Sequence, residues 1–208
     1  MVAQLIEHAA GPRDHDATEQ AVNFFVLKKP REQGAAREEE LESFEAMMLP
    51  HMDAAKNLAK WLLRNEEDAE DVVQEAYLRA FRSFGGFHGS NGRAWLLTIV
   101  RNTSYTFLKK NRAIAVTTFD EEIHARDYES PTPITSLDQT ENAELIRQAM
   151  DELPVEFREI LALRHLEGMS YKEIAEIAQL VPGTVMSRLA RARAKLKECL
   201  AARLGKEK

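Results

Sequence analysis

From Glu42 onward, apolar positions recur at intervals of three and four: Phe44, Met47, Met48, Met52, Ala55, Leu58, Ala59 and Leu62, with His51 on the same stripe. That spacing puts them on one broad face and predicts a single buried helix. Asn65 is suited to cap a second helix, whose first turn carries Glu66, Glu67 and Asp68, acids favoured by the positive end of the helix dipole. Its inward face runs Ala69, Val72, Val73, Ala76, Tyr77, Ala80, Phe81 and Phe84. The stretch 85–92 is too glycine-rich to be regular and predicts a loop. A third helix follows, with Trp95, Leu96, Ile99, Val100, Thr103 and Phe107 inward and Arg93, Arg101, Lys109, Lys110 and Arg112 outward. Residues 41–112 thus form a first helical unit, large enough for a small core.

Periodicity lapses over 113–140, where acids cluster and Ser130-Pro-Thr-Pro133 keeps the chain extended, which reads as a flexible acidic linker. It returns near Glu141 with Leu145, Ile146, Ala149, Met150 and Leu153. Pro154 is placed to open the next helix, which carries Phe157, Ile160, Leu161 and Leu163. Gly168 ends it, and Ser170 with Glu173 forms a capping box for the short helix Tyr171–Ala178. A turn through Pro182 leads to a last, long helix beginning at Gly183, closing a second unit over 141–205. With no strand alternation of useful length, the expected fold is all-α: two small helical domains joined by the linker. Residues 1–40, broken by Gly11-Pro12, Pro30 and Gly34, read as a poorly ordered extension, with a short docking segment as the alternative.

Charge changes this picture more than composition does. The chain is 44% hydrophobic and 30% charged, has mean hydropathy −0.41, and holds no apolar run near the roughly 20 residues of a membrane span. No secretory signal pattern is evident, and a lone cysteine, Cys199, excludes an intramolecular disulfide or a cysteine-based metal cluster. A reduced cytoplasmic protein without metal or cofactor is expected. The net charge of −6 argues at first against a nucleic-acid partner, but it is segregated. Residues 41–80 carry −5, 81–112 carry +6, 113–142 carry −6 and 183–208 carry +6. Such blocks imply surfaces with different partners.

The last two helices have the form of a helix-turn-helix, in which the second helix enters the major groove. At about 100° per residue, Val185, Leu189, Ala192 and Leu196 fall on one side, while Thr184, Ser187, Arg191 and Lys195 cluster opposite, flanked by Arg188. Arg193, further round, suits a phosphate, and Met186 suits a thymine methyl. An amphipathic helix with a solvated basic face is the alternative. In the first unit, Arg101, Asn102, Tyr105 and Lys109 lie on one helix beside a loop bearing Phe87, His88, Ser90 and Asn91. Basic, amide and aromatic groups together suit unpaired bases, although in isolation the favoured reading is Tyr105 as core packing and the lysines as a solvated helix end. Outward Asp68, Asp71, Gln74 and Glu75 repel DNA and suit solvent or a basic protein partner.

Asp68-Ala-Glu-Asp-Val-Val-Gln-Glu75, Ala94-Trp95-Leu96, Val100-Arg-Asn102, Leu153-Pro154, Tyr171-Lys-Glu-Ile-Ala-Glu-Ile177 and Gly183-Thr-Val-Met-Ser-Arg-Leu-Ala-Arg-Ala-Arg193 together resemble a bacterial sigma factor of the extracytoplasmic-function class. The resemblance implies a sigma-2-like domain at 41–112 and a sigma-4-like domain at 141–205. It implies docking of Asp68, Asp71, Gln74 and Glu75 on the β′ clamp helices of core RNA polymerase, with the β flap as a further contact. Phe87, His88, Ser90, Asn91, Arg101, Asn102, Tyr105 and Lys109 would then melt and hold the −10 element, one base flipped into a loop pocket. Thr184, Met186, Ser187, Arg188, Arg191, Arg193 and Lys195 would meet the −35 element. An anti-sigma factor is a further implied partner. The alternative is a two-domain helix-turn-helix regulator that works without polymerase. An enzyme is disfavoured, because no P-loop, HExxH, nucleophile elbow or Cys/His nucleophile pattern is present.

Overall fold

The computed structural model describes residues 34–117 and 137–204, and all regular structure in them is helical. The extension and linker expectations for 1–33 and 118–136 lie outside the described residues. The first stripe is not one helix. Helix α1 (Gly34–Met48) ends in a 3₁₀ turn at Leu49–His51, and α2 (Met52–Leu63) resumes beyond it. Pro50 explains the break: it has no amide hydrogen to continue an α-helical ladder. Tyr77 covers the kink, its hydroxyl donating to the Met48 carbonyl at 2.9 Å. Phe44, Met48, Leu58 and Leu62 are nevertheless all buried, as their periodicity requires.

Helix α2 stops at Arg64, which adopts the left-handed conformation (φ 63°), and Asn65 starts α3 (Glu66–Ser83) by accepting the Asp68 amide at 2.9 Å. A 3₁₀ turn at Phe84–Gly86 opens the predicted loop. The loop ends earlier than expected, because Asn91 accepts the Ala94 amide at 3.0 Å and Gly92 already belongs to α4 (Gly92–Thr117). Helices α2, α3 and α4 pack pairwise around Ala69, Val73, Tyr77, Leu97 and Val100.

In the second unit, α5 (Leu137–Asp151) begins ahead of the expected position, inside the stretch assigned to the linker, and α4 runs past residue 112 into the same stretch. Helix α6 (Val155–Leu161) follows Pro154 and widens into a π-turn at Ala162–Leu166, which Gly168 (φ 65°) terminates. The Ser170–Glu173 capping box of α7 (Tyr171–Ala178) forms as predicted. Gln179, left-handed at φ 56°, turns the chain, and α8 (Pro182–Leu204) starts one residue before the expected glycine. Pro182 fits there because the first turn of a helix needs no partner for its missing N–H. Helix α8 lies across α5, α6 and α7, burying Val185, Leu189, Ala192 and Leu196.

The two units also pack on each other: α7 against α4, and α6 with its π-turn against α2. At the centre is Arg158, whose side chain is buried in the seam. Its Nε donates to the Trp61 carbonyl at 2.7 Å, and its two terminal nitrogens donate to Leu62 (3.1 Å) and Leu153 (2.6 Å). Trp61 and Leu62 close α2, so this cation sits on the negative end of that helix. Burial, with Arg64 nearby, pulls its pKa down to about 10, so it stays protonated at neutral pH.

Candidate nucleic-acid and polymerase interfaces

Helix α3 carries its acids where the sequence places them. Val72, Val73, Ala76 and Tyr77 hold one face in the core, leaving Asp71 and Gln74 exposed and Glu75 half-buried, paired with Arg79 at 2.7 Å. Asp68 lies nearer the cap, half-buried. A ridge of carboxylates on a rigid helix is suited to a basic or donor-rich protein surface and repels a phosphate backbone.

The glycine-rich loop is anchored by aromatic packing. Phe87 lies against Trp95, with ring centroids 4.7 Å apart, and near-parallel to Phe84 at 6.5 Å. Phe87 is therefore partly core, while His88, Ser90 and Asn91 are exposed. The loop borders an open pocket of about 490 Å³ whose opposite wall is Glu39, Glu40, Ser43 and Met47 of α1. Half of that wall comes from residues 34–40, which the chain's composition assigned to a disordered extension.

The α4 residues expected to face a promoter depart furthest from expectation. Arg101, read as outward, has its side chain only 16% exposed: Nε donates to the Glu159 carboxylate of α6. The guanidinium also lies over the Tyr105 ring, 4.6 Å from its centroid. Tyr105 donates its hydroxyl to the other Glu159 oxygen at 2.8 Å. Arg93 pairs with Glu167 at 2.5 Å, and Asn91 donates to Glu173 at 2.9 Å. The correction has one cause: the second unit covers this face with carboxylates. Asn102 and Lys109 remain exposed. Glu159 is 1% exposed, and burial pushes its carboxyl above the ordinary range while Arg101 and Tyr105 oppose that shift. Burial and then Glu159 drive the Tyr105 phenol upward, so it stays a donor.

The recognition helix is open. Met186, Ser187, Arg191 and Lys195 are exposed, and Thr184 and Arg188 half-buried. Their contacts are local: Ser187 donates to the Thr184 carbonyl (3.1 Å), Arg191 to the Ser187 carbonyl (3.4 Å), and Lys195 pairs with Glu198 (3.0 Å). Arg193 differs from its expected phosphate role. It turns inward and donates to Nε2 of buried His165 at 3.2 Å. Burial, together with Arg193 and Arg164, lowers His165 to about 4, so it is the neutral acceptor this bond needs. Cys199 is buried beside Glu152, and burial raises its thiol, which makes it unreactive packing.

Residues 47–114 match the sigma-70 region 2 family, and 143–196 match sigma-70 region 4. The chain is 33% identical over 173 residues to the RNA polymerase sigma-H factor of Pseudomonas aeruginosa, covering 76% of this chain and 86% of the relative. To the ECF RNA polymerase sigma factor SigE of Mycolicibacterium smegmatis it is 31% identical over 161 residues, 77% of this chain and 63% of the relative. The chain belongs to the sigma-70 family, in its extracytoplasmic-function (ECF) class.

The sigma factor RpoE of Bartonella quintana, solved in complex with the anti-sigma factor NepR, superposes with a TM-score of 0.66 at 32% identity. That match covers 77% of this chain and 98% of that one. CnrH, solved in complex with the cytosolic domain of CnrY, gives 0.54 at 25% identity, covering 78% and 90%. The residues that sequence reasoning missed are Arg158, Glu159 and Glu167. All three are charged positions inside an apolar segment, and charge at buried spacing was the available signal.

Proposed function

We propose that this ECF-class chain is a promoter-specificity subunit of bacterial RNA polymerase, acting in the cytoplasm with no catalysis and no cofactor of its own. Residues 41–112, as a sigma-2-like domain, dock on the β′ clamp helices through Asp68, Asp71, Gln74 and Glu75 and melt the −10 element. There Arg101, Asn102, Tyr105, Lys109 and the loop residues Phe87, His88, Ser90 and Asn91 meet the displaced strand. Residues 141–205, as a sigma-4-like domain near the β flap, read the −35 element through Thr184, Met186, Ser187, Arg188, Arg191 and Lys195. Arg193 serves chiefly to hold α8 on its domain. An anti-sigma factor is a partner by analogy with RpoE and CnrH, each solved with one. The observation that carries the reading is the separation of surfaces: an exposed acidic face on α3 and an exposed basic face on α8, on units in sigma order.

The test is transcription in vitro with core polymerase on fragmented genomic DNA, mapping the 5′ ends. A small set of start sites sharing two spaced elements is expected, opened without ATP. Asp71→Lys should abolish core binding in a pull-down while leaving duplex-DNA binding unchanged. Intact core binding in that variant, or DNA binding with no affinity for core, returns the assignment to a polymerase-independent regulator.

A further inference from the structure

Among the described residues four large apolar side chains stand exposed, and two of them flank the amino end of α8: Val181 at 66% and Met186 at 57%. Val181 occupies the N-cap, its carbonyl accepting the Thr184 amide at 2.9 Å and the Val185 amide at 3.2 Å. Serine, threonine, aspartate or asparagine is favoured there, because a side-chain oxygen then meets an otherwise free amide. Valine has no such oxygen. Leu180 beside it packs on the core, whereas Val181 is left in solvent. The side chain therefore neither caps nor packs, and a residue that breaks a local rule with no gain inside the fold points to a contact outside it. Gly183 keeps the same end of the helix bare: a Cβ there would meet nothing within 4 Å. Further along, the open face divides lengthwise. Thr184, Ser187, Arg191 and Lys195 form a strip of hydroxyls and cations, and exposed Met186 and Ala190 form an uncharged flank beside it. No acid occurs on α8 before Glu198. Donors and cations bordering apolar groups match the major groove, where acceptor edges lie beside thymine methyls.

We propose that Val181 and Met186 read the C5-methyl groups of thymines in the −35 element, so that this chain selects thymine there by its methyl and not by a hydrogen bond. The inference rests on the sigma-factor reading above and deepens its −35 contact. The two side chains divide the task by stiffness. Val181, branched at Cβ, presents a fixed surface, while unbranched and polarizable Met186 can follow a methyl group along the groove. Ser187 and Arg191, on the neighbouring strip, remain free for base edges and phosphates.

The test uses the full chain together with core RNA polymerase. Promoters recovered by 5′-end mapping supply the duplexes, and their upstream element is synthesised with thymine or with uracil, which pairs identically but lacks the methyl. The rest of each duplex keeps its thymines. Binding is read by competition against a labelled thymine duplex. For wild type, uracil at each of two positions should weaken binding about fourfold, the effect of leaving one methyl unburied. Met186→Ala should bind the thymine duplex about fourfold more weakly than wild type and no longer distinguish thymine from uracil at one of those positions. Val181→Ser should lose the distinction at the other. It should also raise the thermal midpoint of the free chain by about 3 °C, because the N-cap then carries a side-chain acceptor. Equal wild-type affinity for thymine and uracil duplexes overturns the proposal, and so does an upstream element whose shared positions hold no thymine on either strand. A uracil penalty that survives in both variants reports the shape of the DNA and overturns it as well. In each of these cases, initiation by wild type leaves the sigma-factor reading standing. If wild type fails to initiate with core polymerase, both fall.

Discussion

On α4, Arg101, Tyr105 and Arg93 are met by carboxylates from the other half of the chain, whereas on α8, Ser187, Arg191 and Lys195 meet only groups of their own helix. The two segments carry the same block charge, +6 each, and look equivalent when charge is summed along the chain. In space they are opposite. The −4 of residues 143–182 is folded partly onto the first basic block, while on the second it reaches Arg203 through Glu152 and leaves Ser187, Arg191 and Lys195 exposed. Block charge therefore identifies surfaces that favour an anionic partner, but not whether the chain already supplies that partner.

The most damaging way to break the comparison is Arg158→Ala. It removes three hydrogen bonds and takes the guanidinium away from the carbonyls of Trp61 and Leu62 in the seam, while the Leu153 carbonyl keeps a bond from Arg64 at 3.2 Å. Loss of a buried charged donor from several acceptors costs on the order of 3 kcal/mol. Urea unfolding followed by circular dichroism should show this loss, with the transition broadening or splitting as the units cease to melt together. A single sharp transition within experimental error of wild type would mean the seam contributes little.

Next in size is a pH effect on the uncovered side. His165 is lowered to about 4 from 6.5, so between those values the unfolded chain binds the proton and the folded chain does not. The His165 contribution is full above pH 6.5 and is lost as pH falls toward 4, a change of ~3 kcal/mol. His165→Gln keeps an acceptor for Arg193 and cannot titrate. The difference in unfolding free energy between wild type and this variant should narrow or reverse as pH drops through that window. A difference independent of pH would place His165 outside the bond assigned to it.

Local rules made most of the fold legible. The cap at Asn65, the capping box at Ser170 and Glu173, the glycine stop at Gly168 and the apolar face of α8 are short-range chemistry that any stretch of chain displays. The break at Pro50 was legible too, and was lost because the apolar stripe continues across it. Contacts between the units were not legible. Arg101 and Glu159 are separated by 58 positions, and nothing in either neighbourhood selects the other. Arg101 reads as solvent-exposed when its helix is considered alone, and Glu159, although a charge at buried spacing, does not say which group it meets. The α1 wall of the loop pocket was hidden for a related reason: Glu39 and Glu40 lie in a polar stretch whose helix is supported by the Phe44 cluster beyond it.

The smallest effect sharpens the comparison most. Arg191 is exposed and donates a long bond to the Ser187 carbonyl within its own helix, so Arg191→Ala should leave stability within about 0.5 kcal/mol of wild type. Its cost should appear only in binding: ~1–3 kcal/mol confined to one promoter position if the guanidinium reads a base edge. A uniform loss across sequences, with a shallower salt dependence, would make it a phosphate contact instead. Arg101→Ala offers the contrast. Its guanidinium neutralises a nearly inaccessible carboxylate, so truncation must lower the stability of the free protein before any DNA is added. Measured side by side in urea and in promoter binding, one arginine should register only in the second experiment and the other in both. If Arg101→Ala were silent in urea, the pairing with Glu159 would carry no weight in solution, and the two basic faces would be equivalent after all.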